Sequence, residues 1–334
     1  THKLSHRLNI HELPFFGRKQ ELSQLEEYLS LVERGEAVGP FLVMGQSGTG
    51  KKRLLRQLVL MSNRSFNFIK VEGRATSQRY EGSAWNDLRQ ALEKLVDEMG
   101  ISLLEEEDDL ISVWNQLQSL SKEKPLLILL ENAQWFDAVS LEKVKQLEER
   151  RNQEKWQLIF TAEEPLPAFF VNFLGGLKVE KRLSQLGLTN FAPSESRALL
   201  KGELGAIEPA VMEQMVEWSE GSPFLLSSYI EEWKENENLE PLPDIIQAYL
   251  SQELGDMSSE EEALLHYLSC FHKPISLSIL AELTATELPV LTELIEPLSE
   301  RAIVSIVEEG EALMVQFCKQ LVAMYCYHLL SPAR

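Results

Sequence analysis

Positive charge is scarce in this chain: Lys and Arg number 32 against 52 Asp and Glu, a formal net charge of −20. A surface of that sign repels a phosphate backbone over most of its area, which excludes nucleic acid as the default ligand. Cysteine is rarer still. Cys270, Cys318 and Cys326 form an odd set without metal-ligand or disulfide spacing, so they read as core packing residues in a reducing, cytoplasmic setting. Long apolar runs are missing too. The longest, Leu126–Leu130, falls far short of the ~20 residues that a bilayer crossing needs, and no charged-then-apolar leader opens the chain. The absence of an initial Met suggests a piece of a longer polypeptide. The 334 residues allow two or three hydrophobic cores.

What is present is a glycine-rich turn in a telling place. The apolar run Phe41-Leu42-Val43-Met44 reads as a buried strand, and Gly45-Gln46-Ser47-Gly48-Thr49-Gly50-Lys51-Lys52 follows it. Leu54, Leu55, Leu58 and Val59 then recur at helical spacing, so the glycines join a strand to a helix. This is the spacing of a phosphate-binding loop, GxxxxGK followed by Ser or Thr. Glycines let backbone N–H groups curl around an anion, the helix N-terminus adds its dipole, and the lysine reaches the β and γ phosphates. Gly45, Gly50 and Lys51 fit. The last position departs: a hydroxyl there ligates Mg²⁺, whereas the Lys52 ammonium has three donors and no lone pair for a cation.

Five candidate strands are spaced as in an α/β sheet: Phe41–Met44, Asn67–Val71, Leu126–Leu130, Gln157–Thr161 and a weaker Val179–Leu183. Helical patterns fill the gaps. Leu22, Leu25, Leu29 and Val32 share one face of 21–32, and Trp85, Leu88, Leu92, Leu95 and Val96 share one face of 85–99. The alternation predicts a parallel sheet with helices on both faces over residues 1–186. The acidic run Glu105–Asp109 reads as a solvated turn or helix start. From 187 to 256 short amphipathic helices replace the strands, at 193–202, 209–219, 223–233 and 243–254, as in an all-α lid. From 257 to 334 a helix capped by Ser258 or Ser259 is followed by helices over 277–283 and 288–301. A hairpin of 302–307 with 312–317 about Glu309-Gly310 completes a predicted winged helix.

The apolar strand Leu126–Leu130 ends in Glu131-Asn132. In a P-loop protein a carboxylate here holds Mg²⁺ through water, and a second acid orients the attacking water. Glu131 can supply the first, making it the candidate metal ligand, but Asn132 cannot act as a base. The residue after the loop lysine and this strand end lie side by side in such folds. Lys52 and Glu131 are therefore expected to pair, with an ammonium where the cation would sit. Trp135 is expected to pack beneath the sheet, and His266, His272 and His328 have no companion carboxylate at ligand spacing.

In order and spacing these segments resemble the STAND-class ATPases, AAA-related regulatory modules of LuxR-type activators, adenylate cyclase assemblies and bacterial kinase fusions. Phe16-Gly17-Arg18 with Glu21-Leu22 is similar to their FGRxxEL opening. Glu131-Asn132-Ala133-Gln134-Trp135-Phe136-Asp137 with Ser140-Leu141 is similar to DDAHWAD and its following SL. Gly221-Ser222-Pro223-Phe224 resembles the GNPLF lid motif, and Phe317 through Tyr325 the FRHxxxxxxxY segment. The likeness spans nearly the whole chain. It implies ATP or ADP as ligand, held by Gly45 to Lys52, with Arg18 on the adenine side and Pro223 near the base. It also implies partners among other domains of the same polypeptide or signalling proteins, and self-association under nucleotide control.

The departures weigh equally. The family's Thr-x-Arg after the fourth strand reads Thr161-Ala162-Glu163-Glu164, placing a like charge where a cation should meet the γ-phosphate. Lys52, Glu131, Asn132 and Glu163 alter the metal, base and arginine positions, parts that act as a unit. The expectation is a regulatory module that binds ATP or ADP with impaired hydrolysis. A nucleotide-free interaction scaffold and a slow but competent ATPase switch stay open as alternatives. Helix 288–301 carries Glu293, Glu296 and Glu300, preceded by Glu287, against Arg301, which favours a protein contact over a DNA-reading surface.

Overall fold

Strands covered on both faces are buried along their length and rich in apolar residues, and two segments here are buried at every position. In the computed structural model β1 (Phe41–Gly45), β2 (Asn67–Glu72), β3 (Leu126–Glu131), β4 (Trp156–Ala162) and β5 (Ser184–Leu188) form one parallel sheet in the order β2-β3-β4-β1-β5. β3 and β4 are buried throughout, with Gln157 and Thr161 of β4 among the buried polar residues. The structure describes residues 13–36, 38–74, 80–101, 108–151, 154–164, 166–179, 183–239, 242–255, 257–271, 273–301, 303–309 and 312–330. Glu105–Glu107, Gly310 and His272 lie outside them.

The period of two along β3 sorts its side chains between two cores. Leu127 and Leu129 join Leu25 and Leu29 of α1 (Lys19–Glu33) and Leu54, Leu55 and Leu58 of α2 (Lys51–Ser62). Leu126, Ile128 and Leu130 join the opposite core, built from α3 (Ser83–Glu98), α4 (Asp109–Glu123), α5 (Ala138–Arg150) and α6 (Ala168–Val179). Thus α2 leaves β1 toward one face, while the helices after β2, β3 and β4 cover the other. The C-terminal end of β1 is where the crossovers diverge, the place where α/β sheets bind ligands.

β5 corrects the expectation of a strand at 179–183. The helix α6 runs to Val179, and the strand begins at Ser184. As an edge strand paired with β1, β5 exposes Ser184, Gln185 and Gly187, which is why its apolar signal is weak. Trp135 is also corrected: it lies in a short 3₁₀ turn and is 36% exposed, with Phe136 buried in its stead. The acidic run does start a helix, since Asp108 caps α4 by accepting from Leu110 N and Ile111 N.

The described chain divides into two units, Pro14–Asn190 and a second that is built from Phe191 onward. In the second, α7 (Pro193–Leu204), α8 (Pro209–Ser219) and α9 (Pro223–Asn236) each begin with proline at the first helical position, where the missing N–H costs nothing. α10 (Asp244–Leu254) and α11 (Ser259–Ser269) follow. Ser258 caps α11 in a reciprocal box with Glu261, at 3.1 and 2.7 Å. Next come β6 (Ile275–Ser276), α12 (Leu277–Thr284), α13 (Leu288–Glu300), β7 (Val304–Glu309), β8 (Ala312–Phe317) and α14 (Gln320–His328). The antiparallel sheet has the order β6-β8-β7, and β6, two residues long, left no period for sequence reading to detect. Cys326 is buried as expected, whereas Cys270 and Cys318 are exposed. No helix among the described residues is long and apolar enough to cross a membrane.

Candidate functional site

β1 delivers the glycine-rich loop to the sheet's C-terminal edge. Gly45 is its last residue, and a Cβ there would meet the Leu188 carbonyl and Thr49 Oγ1 at contact-forbidding range. Gly48 and Gly50 have φ of 77° and 94°, conformations that side-chain-bearing residues resist. Thr49 is buried and its Oγ1 donates to the Gln46 carbonyl at 2.8 Å, closing the loop on itself. Gln46 is exposed and Ser47 half-buried at the tip.

α2 begins at Lys51 with Gly50 as its cap, so no side chain accepts from the first-turn N–H groups, and no acidic residue sits in that turn. Lys51 instead places a buried cation at the positive end of the helix dipole, an unfavourable arrangement that an anion offsets. The Lys51 ammonium, 7% exposed as a residue, donates to the Gly45 and Gln46 carbonyls at 2.6 and 2.8 Å. Burial pushes it below the ordinary lysine range; Glu163 opposes that, and Lys52 adds to it. The cradle fits a phosphate group.

Arg18 is placed at the cradle's flank. Its guanidinium donates to the Thr49 carbonyl at 3.2 Å and to the Thr189 carbonyl just past β5, and pairs with Glu21 at 3.0 Å. Pro223, by contrast, opens α9 in the second unit.

At the end of β3 Glu131 is 4% exposed, and Asn132 turns out of the strand at φ 52°, its N–H donating to Thr161 Oγ1 at 2.9 Å. The expected Lys52–Glu131 pair does not form. Lys52 pairs with Glu72, and Glu131 Oε2 faces the Lys70 ammonium at 2.8 Å. The reason is register: β2 and β3 set Glu72 directly beside Glu131, and Lys70 lies two residues back on the same face of β2. Lys52 holds the Glu72 carboxyl below the usual carboxylate range. The donor set therefore does not fit Mg²⁺. The hydroxyl position is a lysine, and the strand-end carboxylate is occupied by another. Among the described residues no group of three or more His, Cys, Asp or Glu is placed to hold a metal.

Sequence reasoning missed Lys70 and Glu72, whose alternation with buried Ile69 and Val71 was the available signal. It also missed Gln134, buried behind the site, whose Oε1 accepts from Glu163 N at 3.3 Å. The ladder that pairs Met44 with Ala162 brings Glu163 beside Gly45.

Residues 14–160 match the AAA ATPase domain family. No curated protein sequence matches the chain. Among solved structures, the ORC2 protein of Aeropyrum pernix in its ADPNP–ADP complexes is 16% identical, with 95% of this chain and 96% of that one covered and a TM-score of 0.62. The Aeropyrum pernix ORC1 protein in complex with DNA is 16% identical over 94% and 93%, with a TM-score of 0.51. A STAND protein of Pyrococcus horikoshii with a tetratricopeptide repeat sensor is 18% identical; 95% of this chain and 43% of that chain are covered, at a TM-score of 0.42. Sheet order, loop and family match together make residues 14–160 a P-loop α/β domain of the AAA ATPase type. A helical unit follows it.

Proposed function

We propose that this chain is a regulatory nucleotide-binding module of the STAND type, cytoplasmic and part of a multidomain signalling protein, that holds ATP or ADP and hydrolyses it weakly or not at all. The observation that carries the reading is the uncapped N-terminus of α2, where a cradle with two positive-φ glycines encloses the buried Lys51 ammonium. An anion of high charge offsets that arrangement, and a nucleotide's phosphates meet the demand. Impaired hydrolysis is supported by Asn132 at the base position, Lys52 at the metal hydroxyl and Glu163 at the cation position. The C-terminal helices with their hairpin, residues 257–334, serve in this reading as a winged-helix clamp or contact surface for other domains of the polypeptide or for signalling partners. α13 carries Glu293, Glu296 and Glu300 and is a poor match to phosphate backbones.

Thermal unfolding with and without nucleotide, together with a phosphate-release assay, tests this. ADP or ATP at about a hundredfold excess over Kd stabilises the folded state by about 2.7 kcal/mol, an effect that Lys51→Ala abolishes, and no phosphate accumulates. Brisk Mg²⁺-driven phosphate release points to a competent ATPase switch. No shift with any nucleotide leaves the nucleotide-free scaffold.

A further inference from the structure

At the mouth of the cradle the charges alternate: Lys52, Glu72, Lys70, Glu131. The Lys52 ammonium pairs with Glu72 Oε1, and the Lys70 ammonium lies 3.9 Å from Glu72 Oε2 and 2.8 Å from Glu131 Oε2. Two carboxylates held directly opposite each other on neighbouring strands repel, and Glu131 is almost wholly buried, so this edge needs two positive charges. One divalent ion would supply them in a metal-using P-loop site. Here the Lys52 and Lys70 ammoniums do, and the Arg74 guanidinium adds a further positive field on Glu72. An ammonium has no lone pair, so the ladder neutralises the carboxylates while shutting a metal out of them. The Lys70–Glu131 contact is an ion pair without hydrogen-bond alignment, since Oε2 accepts no hydrogen bond among the described residues.

We infer that Lys70 and Lys52 are a built-in substitute for the divalent cation, and that this site takes its nucleotide without metal. The inference rests on the phosphate-cradle reading above. Lys70 is the decisive member, because its ammonium is the one that pairs with the buried carboxylate among the described residues.

Two measurements on the full chain test it. In the first, fluorescent ADP is titrated in Mg²⁺ and then in EDTA. Wild-type affinity stays within about twofold between the two, whereas a loss of about tenfold in EDTA overturns the inference. In the second, Mn²⁺ alone is titrated and followed by electron paramagnetic resonance. The variant K52T/K70A restores a hydroxyl and uncovers Glu72 and Glu131, and it binds Mn²⁺ about tenfold more tightly than wild type. Lys70→Arg, which keeps the charge, behaves as wild type. Equal Mn²⁺ binding by wild type and K52T/K70A, with both melting cooperatively, overturns the inference. The Mn²⁺ arm needs no nucleotide, so a chain that binds none would sink the cradle reading while the Mn²⁺ titration still decides whether the lysines keep metal out.

Discussion

Asp137 joins two helices through one carboxylate. It caps α5 by accepting from Ser140 N at 2.9 Å and Ser140 Oγ at 2.6 Å, and accepts from Gly82 N at the start of α3 at 2.8 Å. Ser140 Oγ in turn accepts from Trp85 N at 2.9 Å. These contacts tie Asp137 and Ser140 to each other and to the start of α3, and they assign both residues to packing behind the sheet. Burial alone would raise the Asp137 carboxyl, but the hydrogen bonds from Ser140 and Gly82 hold it below the usual aspartate range. The unfolded chain then binds the proton more readily than the folded one, so stability rises with pH. The contribution is complete above the unfolded pKa of about 3.9 and fades as pH falls through the lower folded value. Asp137→Asn is expected to lower stability by about 1–2 kcal/mol near neutral pH. Urea unfolding taken from neutral pH down to about pH 3 should show the gap to wild type closing. A gap independent of pH would assign the loss to shape rather than charge.

Elements in the second unit depend on equally local demands. Between α8 and α9, Gly221 has φ 73°, and a Cβ there would overlap the Phe191 carbonyl, while Phe191 N donates to the Gly221 carbonyl at 2.8 Å. Gly221→Ala is expected to cost about 3 kcal/mol or more, from the strained φ and the backbone clash together. A thermal melt of that variant within a degree or so of wild type would refute the close approach. The glycine of the lid motif is thus a backbone requirement, legible as a turn but not as a contact with a chain segment some thirty residues upstream. Elsewhere, β1 to β4 were legible to within a residue or two at each end, β1 and β3 as nearly continuous apolar runs and β2 and β4 as apolar residues broken by one or two polar ones. β5 was not, since an edge strand carries half that signal. The cradle was legible because its chemistry is contiguous. The partners of Lys52 and Glu131 were hidden, because strand register, which local sequence does not encode, decides that Glu72 stands beside Glu131 and Lys70 faces it.

For the whole molecule, the division at Asn190 and Phe191 separates the α/β sheet from everything helical that follows. Within the second unit the elements after α10 are tied back to the earlier helices, as where Gln320 N at the start of α14 donates to Glu220 Oε1 at 3.1 Å. Calorimetry is accordingly expected to resolve two transitions, one per unit. ADP should displace the one belonging to Pro14–Asn190, where Gly45 to Lys52 reside, and a single cooperative peak would contradict the division. The distribution of sulfur gives this arrangement a practical side. Residues 1–269 contain no cysteine, Cys270 and Cys318 face solvent, and burial pushes the Cys326 thiol up to about 12, where it resists alkylation. Maleimide dyes will therefore mark the helical half alone, and one cysteine added to the sheet half allows a distance measurement that tests whether ADP moves the two units.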